Sequence, residues 1–282
     1  MTTVQDLTVP GRTSVMGILN VTEDSFSDGG RWLRTDDALA HARELVRAGA
    51  DIIDVGGEST RPGATRVPAE VEAARVRPVI EALHAEGIRT SVDTMRAATA
   101  AAAVEAGVDL INDVSGGLAD PDMYRVMAQA GVPVCLMHWR ADSYGDAAGA
   151  ADHGGDVVSD VHAVLRELAD NAIAAGVDPE RITVDPGLGF AKTAADNWAL
   201  LAALETFVAG PFPVLVGASR KRFLTSIRKQ RGLEHTPVDA DPATAAVSAL
   251  SARAGAWCVR VHEVAVTRDA VDVVAAWREG GA

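Results

Sequence analysis

Short apolar, β-branched runs recur along the chain, and each is followed by a longer stretch with helical spacing. The runs are SVMGILNV (14–21), DIIDVGG (51–57), RTSVDT (89–94), LINDVS (110–115), PVCLMHW (133–139), ITVDPGLG (182–189), PVLVGAS (213–219) and WCVRVHE (257–263). Between them, DDALAHARELVRAG (36–49), PAEVEAARVRPVIEALHAEG (68–87) and VVSDVHAVLRELADNAIAAG (157–176) read as helices that end in glycine, a residue that stops a helix by turning left-handed. Strand–helix alternation predicts a parallel sheet. Eight such units fit a closed (β/α)8 TIM barrel, an α/β fold that uses roughly 250 residues. An open doubly wound sheet is the alternative, but no GxGxxG follows the first strand and no GxxxxGK[ST] occurs anywhere. No composition break marks a second domain. Residues 13–282 read as one barrel, and residues 1–12 as a flexible extension.

The polar residues of these runs fall in one place. Asn20, Asp54, Asp93, Asn112, His138, Asp185, Ser219 and the stretch Arg260 to His262 lie at or near strand carboxyl ends. In a TIM barrel that is the active-site face. One such residue is an ordinary helix cap, whereas eight at strand tips point to a site. Asp54 lies inside its run and reads equally well as an interior acid. His138 fits a structural histidine as well as a substrate contact.

Charge narrows the function. The 282 residues carry 39 acids and 26 bases, a net charge of −13, which excludes a general nucleic-acid or membrane-surface binder. An anionic substrate would need local cations to capture it against that field. No apolar stretch approaches the roughly 20 residues of a membrane span. The start, MTTVQDLTVPGRT, lacks the basic and apolar regions of a signal peptide, so a cytoplasmic location is expected. Cys135 and Cys258 sit inside apolar runs and are expected as reduced core thiols.

Three strand tips carry side chains able to pair with a planar amide-like edge: Asp93, Asn112 and Asp185. A carboxylate accepts two parallel N–H bonds, and an amide both donates and accepts. Together they suit a pyrimidine-like ring with an amino group beside a ring N–H, and Lys221 in SRKRF would donate to the ring carbonyl. Metal ligation by the two aspartates is the alternative, without an HxxxH or HExxH pattern to support it. Arg260 and His262 flank Val261, so strand alternation puts both on one face as an oxyanion site. The acidic stretch NVTEDSFSDGG (20–30) opens directly after the first strand. The segment ADSYGDAAGAADHGG (141–155) is of low complexity, and its His153 is expected to be solvated.

The long motifs VMGILNVTEDSFSDGG (15–30), IIDVGGESTRPGA (52–64), SVDT (91–94), NDVSGG (112–117), LMHWR (136–140), DPGLGFAKT (185–193), VLVGASRKRFL (214–224) and RVHEV (260–264) occur in this order. With them the chain resembles the dihydropteroate synthases of folate biosynthesis, the actinobacterial members in particular. The resemblance runs from about Ser14 to Trp277. Position 23 is Glu where many members have Pro, which removes no functional group.

The resemblance implies a transferase. It would join 7,8-dihydropterin-6-ylmethyl diphosphate to p-aminobenzoate, giving 7,8-dihydropteroate and pyrophosphate by way of a cationic pterin methylene. It implies that Asp93, Asn112, Asp185 and Lys221 hold the pterin, with Met137, Gly189, Phe190 and Arg260 lining its slot. Asn20 would hold Mg²⁺ on the diphosphate, whose oxygens Arg260 and His262 would bind. Phe26, Ser27, Asp28, Thr60, Arg61, Pro62, Ser219 and Lys221 would form the p-aminobenzoate side. Asp28, Lys221, Arg260 and His262 would be catalytic, with Asp28 stabilising the cation. The resemblance further implies a homodimer and a sulfonamide target. Two rivals are a pterin-binding methyltransferase domain and a silent pterin-binding paralogue. The first would lack the SxDGG, STRPG and SRKR motifs together, and the second would show losses among the residues just named; neither is the case.

Overall fold

The computed structural model describes residues 2–22, 31–58, 67–139 and 151–281, without the side chains of residues 31–34. Eight parallel strands form the sheet: β1 (Ser14–Asn20), β2 (Ile52–Gly56), β3 (Thr90–Asp93), β4 (Leu110–Asp113), β5 (Val134–Met137), β6 (Ile182–Asp185), β7 (Leu215–Val216) and β8 (Cys258–Val261). They pair in the order β6-β5-β4-β3-β2-β1-β8-β7. A parallel bridge between Val184 and Val214 joins the two ends, so the sheet closes into the expected barrel. Helices α2 (Arg31–Arg47), α3 (Ala69–Ala85), α4 (Ala97–Glu105), α5 (Met123–Ala130), α6 (Val157–Ala174), α7 (Ala194–Ala202), α8 (Leu204–Val208), α9 (Arg222–Gln230) and α10 (Asp241–Ala254) supply the crossovers, and α11 (Val264–Glu279) follows the last strand.

Period-two alternation sorts every strand into two faces. Val15, Leu19, Ile53, Val55, Val92, Ile111, Val134, Leu136, Ile182, Val184, Val259 and Val261 pack outward against helices in one large core. Met16, Ile52, Leu110, Cys135, Leu215 and Cys258 point into the barrel and form its lowest apolar layer. Two residues further along the same inward faces come Asp54, Asn112, Met137 and Arg260. The site is therefore built on the barrel's inner register, with an apolar floor beneath it.

A short helix, α1 (Val4–Leu7), caps that floor from outside, which corrects the expected flexible extension. Val4 and Leu7 are 2% and 1% exposed and pack on Met16, Ile52, Trp257 and Cys258. An open lower end would leave this layer wet, and burying two aliphatic side chains there contributes about 3–6 kcal/mol. Both cysteines are free and buried, as expected.

Candidate active site

Register alone lines up the upper rim. Asn20 lies opposite Gly56, Gly56 opposite Asp93, Asp93 opposite Asn112, and Met137 opposite Asp185. Asn20, Asp93 and Asn112 thus stand at one level, with Gly56 between the first two, and Met137 and Asp185 stand two residues higher, because Asn112 pairs with Cys135.

Arg260 organises the centre. Its Nε donates to Asp54 Oδ2 at 2.5 Å, and its Nη2 donates to Asp93 Oδ2 at 2.7 Å. Asn112 Nδ2 also donates to Asp54 Oδ2, at 3.3 Å. Burial works against the Arg260 charge, but Asp54 and Asp93 outweigh it and hold its pKa above the ordinary value. Burial pushes the Asp93 carboxyl up to about 7, with Arg260 opposing and Asp54 reinforcing the shift. Asp54 Oδ1 and Asp93 Oδ1 are buried without a hydrogen-bond partner among the described residues. A buried acceptor without a donor is costly, so Asp93 Oδ1 is set to receive a ligand N–H. Asp54, ambiguous in sequence, is the anchor that fixes Arg260 and Asn112.

Asp185 and Lys221 form the second half. Asp185 Oδ1 accepts from Gly187 N–H at 2.7 Å. Burial raises the Asp185 pKa, and Lys221 opposes this most strongly. Lys221 Nζ donates to Leu188 O and stands 4.6 Å above the Phe190 ring. Burial brings Lys221 down to about 8, against the pull of Asp185. Gly189 has φ +77°, and a Cβ there would lie 2.7 Å from Lys221 Cδ, so glycine is required for this approach. Met95, Val114, Met137, Trp139 and Phe190 make a separate apolar cluster. A flat ring bounded by these side chains and read by two buried carboxyls is the ligand this geometry suits.

On the opposite rim, His262 N–H donates to Ser219 Oγ at 3.1 Å, and the same Oγ lies 2.9 Å from His262 Nδ1. The Oγ thus holds both the backbone and the ring of His262. Which of Oγ and Nδ1 donates follows the His262 tautomer, and in either case the contact fixes the ring's orientation. Ser219, expected on the p-aminobenzoate side, therefore has its hydroxyl engaged in orienting His262. Asn20 is half-buried at the end of β1. Its Oδ1 overlooks Gly56, where a Cβ would be 3.7 Å away. Asp28, Phe26, Ser27, Thr60, Arg61 and Pro62 lie outside the described residues.

A buried polar network backs the site. His138 is fully buried, and its Nδ1 lies 2.9 Å from Lys192 Nζ. Burial drives the His138 pKa down to about 3, so the ring is neutral, and brings Lys192 down to about 7. His153 is 8% exposed, which corrects the solvated position expected for it. Its Nδ1 lies 2.7 Å from Asp160 Oδ2, and its Nε2 lies 3.1 Å from Ala191 O. His138 Nε2 is 3.6 Å from the same Asp160 oxygen. Both His153 nitrogens are thus engaged and Lys192 stands behind His138, which makes the group a hydrogen-bonded support. A second support closes the stretch after β2. Glu58 Oε1 accepts from Val67 N–H at 2.7 Å and from Arg96 Nη2 at 3.0 Å, and Arg96 Nη1 pairs with Glu72.

The likeness to known proteins agrees with this geometry. A family model described as pterin binding enzyme matches residues 16–262. The dihydropteroate synthase of Mycobacterium leprae is 52% identical over 268 residues, covering 95% of this chain and 94% of that protein. The chain belongs to the dihydropteroate synthase family. Among solved structures, Xanthomonas albilineans dihydropteroate synthase with 4-aminobenzoic acid is 44% identical, with a TM-score of 0.84 over 96% of this chain and 94% of that one. The Yersinia pestis dihydropteroate synthase in a sulfonamide drug complex is 38% identical, with a TM-score of 0.88 over 99% of both chains.

Sequence reasoning passed over Lys192, Glu58 and Arg96. Each is a charged residue at the edge of a motif, in GFAKT, GGEST and just after SVDT. Their partners lie 54, 38 and 24 residues away, so only the folded chain shows the pairing.

Proposed function

We propose that the protein condenses 7,8-dihydropterin-6-ylmethyl diphosphate with p-aminobenzoate, forming 7,8-dihydropteroate and pyrophosphate. The observation that carries this is the pair of buried carboxyls, Asp93 and Asp185, set around an apolar slot with Asn112, Lys221 and Arg260 between them. Each carboxyl accepts N–H bonds from the amino-pyrimidine edge, while Lys221 donates to the ring carbonyl. Arg260 and His262 face the diphosphate side, and the Ser219 hydroxyl orients the His262 ring. The carbon–oxygen bond breaks with its electron pair leaving on pyrophosphate. The amine nitrogen of p-aminobenzoate then forms the new carbon–nitrogen bond and loses a proton. Charge-directed donors of this kind are worth about 3–4 kcal/mol each in the transition state. Asp28 is proposed to stabilise the cationic methylene, and Phe26 to exclude water from it. Ser27, Thr60, Arg61 and Pro62 complete the proposed p-aminobenzoate side.

Mg²⁺ is the proposed cofactor, with Asn20 as its protein ligand. A single amide oxygen beside Gly56 and Asp93 fits this ion, which takes few protein ligands and completes its shell with substrate phosphate and water. Bound there, the ion would neutralise diphosphate charge. A homodimer and a cytoplasmic location are proposed as well. No described helix is long and apolar enough to cross a membrane. Sulfonamides are proposed to compete for the p-aminobenzoate side.

The test is formation of dihydropteroate and pyrophosphate by purified protein supplied with both substrates and Mg²⁺. Product that depends on all three supports the reading. Pterin binding without product refutes it in favour of a silent paralogue.

A further inference from the structure

Lys192 closes the turn after β6 and is only 9% exposed. Its Nζ is 2.9 Å from Gly187 O, 3.2 Å from Phe190 O and 2.9 Å from His138 Nδ1. These three acceptors match the three N–H groups of an ammonium. They equally match an amine that donates to both carbonyls and accepts from the His138 ring.

The turn needs such a post. Gly187 and Ala191 both have positive φ, +69° and +50°. For alanine this region costs about 1–2 kcal/mol, so surrounding contacts must hold it there. A Cβ on Gly187 would stand 2.0 Å from His138 O, so the turn sits directly on the backbone at the end of β5. His138 N–H in turn donates to Asp185 O at 2.9 Å. The far side of the post is fixed too, since Ala191 O meets His153 Nε2 and His153 is paired with Asp160.

Gly187 is the pivot. Its carbonyl takes the Lys192 N–H, and its own N–H donates to Asp185 Oδ1. These two groups lie in adjacent peptide units joined at the Gly187 Cα, so holding the carbonyl limits how far the N–H that orients the Asp185 carboxylate can move. Phe190, held by its carbonyl, carries the ring that lies under Lys221.

We propose that Lys192 is a positioning residue for the pterin site: it fixes the peptides of Gly187 and Phe190 and, through Gly187, aims the Asp185 carboxylate. It does so from behind the slot, with His138 as its own support. The inference rests on the reading of this slot as the pterin site.

The experiment compares Lys192→Met and Lys192→Arg with wild type. Pterin-diphosphate affinity is measured by calorimetry, KM for p-aminobenzoate at saturating pterin, and Tm by thermal melting. Lys192→Met should weaken pterin binding about tenfold or more, with KM for p-aminobenzoate changed by less than about twofold. Lys192→Arg keeps donors for the carbonyls and should recover most of the affinity. Unchanged pterin affinity in Lys192→Met overturns the proposal. So does an equal loss for both substrates, or an arginine variant as weak as the methionine one. If Lys192→Met does not fold, His138→Phe removes one acceptor with Lys192 in place. About threefold weaker pterin binding is expected there, and no change overturns the proposal. Wild-type protein that binds pterin but forms no dihydropteroate refutes the proposed reaction and leaves Lys192 to be judged on pterin affinity alone.

Discussion

Arg260 and Asp54 meet inside the barrel at 2.5 Å, across 206 residues of chain. Asp54 is fully buried and the Arg260 side chain is 20% exposed. Removing one member leaves the other charge without its partner, which typically costs 3–5 kcal/mol. Asp54→Ala should therefore lower unfolding free energy by about 3–5 kcal/mol in urea titrations. A double variant, Asp54→Leu with Arg260→Met, should lose less than the two single variants added together. Strict additivity would show that the pair is not coupled.

Asp93 gives the site a pH dependence. Burial holds its carboxyl up to about 7 in the free protein, whereas the unfolded chain ionises near 4. The folded state therefore binds the extra proton between these values, and stability from this group falls as pH rises from about 4 to about 7. A ligand that donates N–H to Asp93 selects the ionised form. Pterin affinity should rise with pH up to about 7, by as much as tenfold per unit, and level off above. Calorimetry in buffers of different ionisation enthalpy should show proton release below that point. Asp93→Asn should bind weakly and without this slope, and a slope that survives in the variant would assign it to another group.

The barrel and its catalytic face are legible because they rest on period and position. Alternation alone puts Arg260 and His262 on one face, and parallel register then sets Asn20, Asp93 and Asn112 side by side. The expected strands run longer than the observed ones, most clearly in PVLVGAS, where only Leu215–Val216 ladder. Pro213 cannot donate to a ladder, and at Ser219 the hydroxyl has turned to His262. What stays hidden is whatever depends on distant partners. A four-residue helix at Val4–Leu7 has no periodicity to detect, and nothing near it in sequence reveals the apolar barrel end that it covers. His153 looks solvated among glycines and alanines, yet it is buried by Asp160 on α6 and by Ala191 after β6.

That covered end makes a separate prediction. Leu7 is 1% exposed and shares its layer with Met16, Leu215 and Trp257, far from the catalytic rim. Leu7→Ala should cost about 2–5 kcal/mol of stability, as other large-to-small core changes do. Activity at low temperature, where the variant stays folded, should remain near wild type. A Tm unchanged within a degree or so would mean that α1 is dispensable, as the sequence alone suggested.

Arg96 carries the last prediction. It donates to Glu58 at 3.0 Å and pairs with Glu72, while Glu58 takes the Val67 N–H. Glu72 also accepts from Thr94 and Thr99, so one arginine joins the end of β2, the start of α3 and the turn after β3. Residues 58 and 67 flank the stretch that carries Thr60, Arg61 and Pro62, the proposed p-aminobenzoate side. Arg96→Leu would leave two buried glutamates facing each other without their shared cation, a loss of about 3–5 kcal/mol in stability. A milder change, Arg96→Lys, keeps the charge but lacks the planar fork that serves two carboxylates at once. It should raise KM for p-aminobenzoate more than it weakens pterin binding, because Asp93 keeps its own bond to Arg260. Steady-state kinetics with each substrate varied in turn separates the two effects. Equal losses for both substrates would show that the clamp supports the barrel rim as a whole rather than the p-aminobenzoate side.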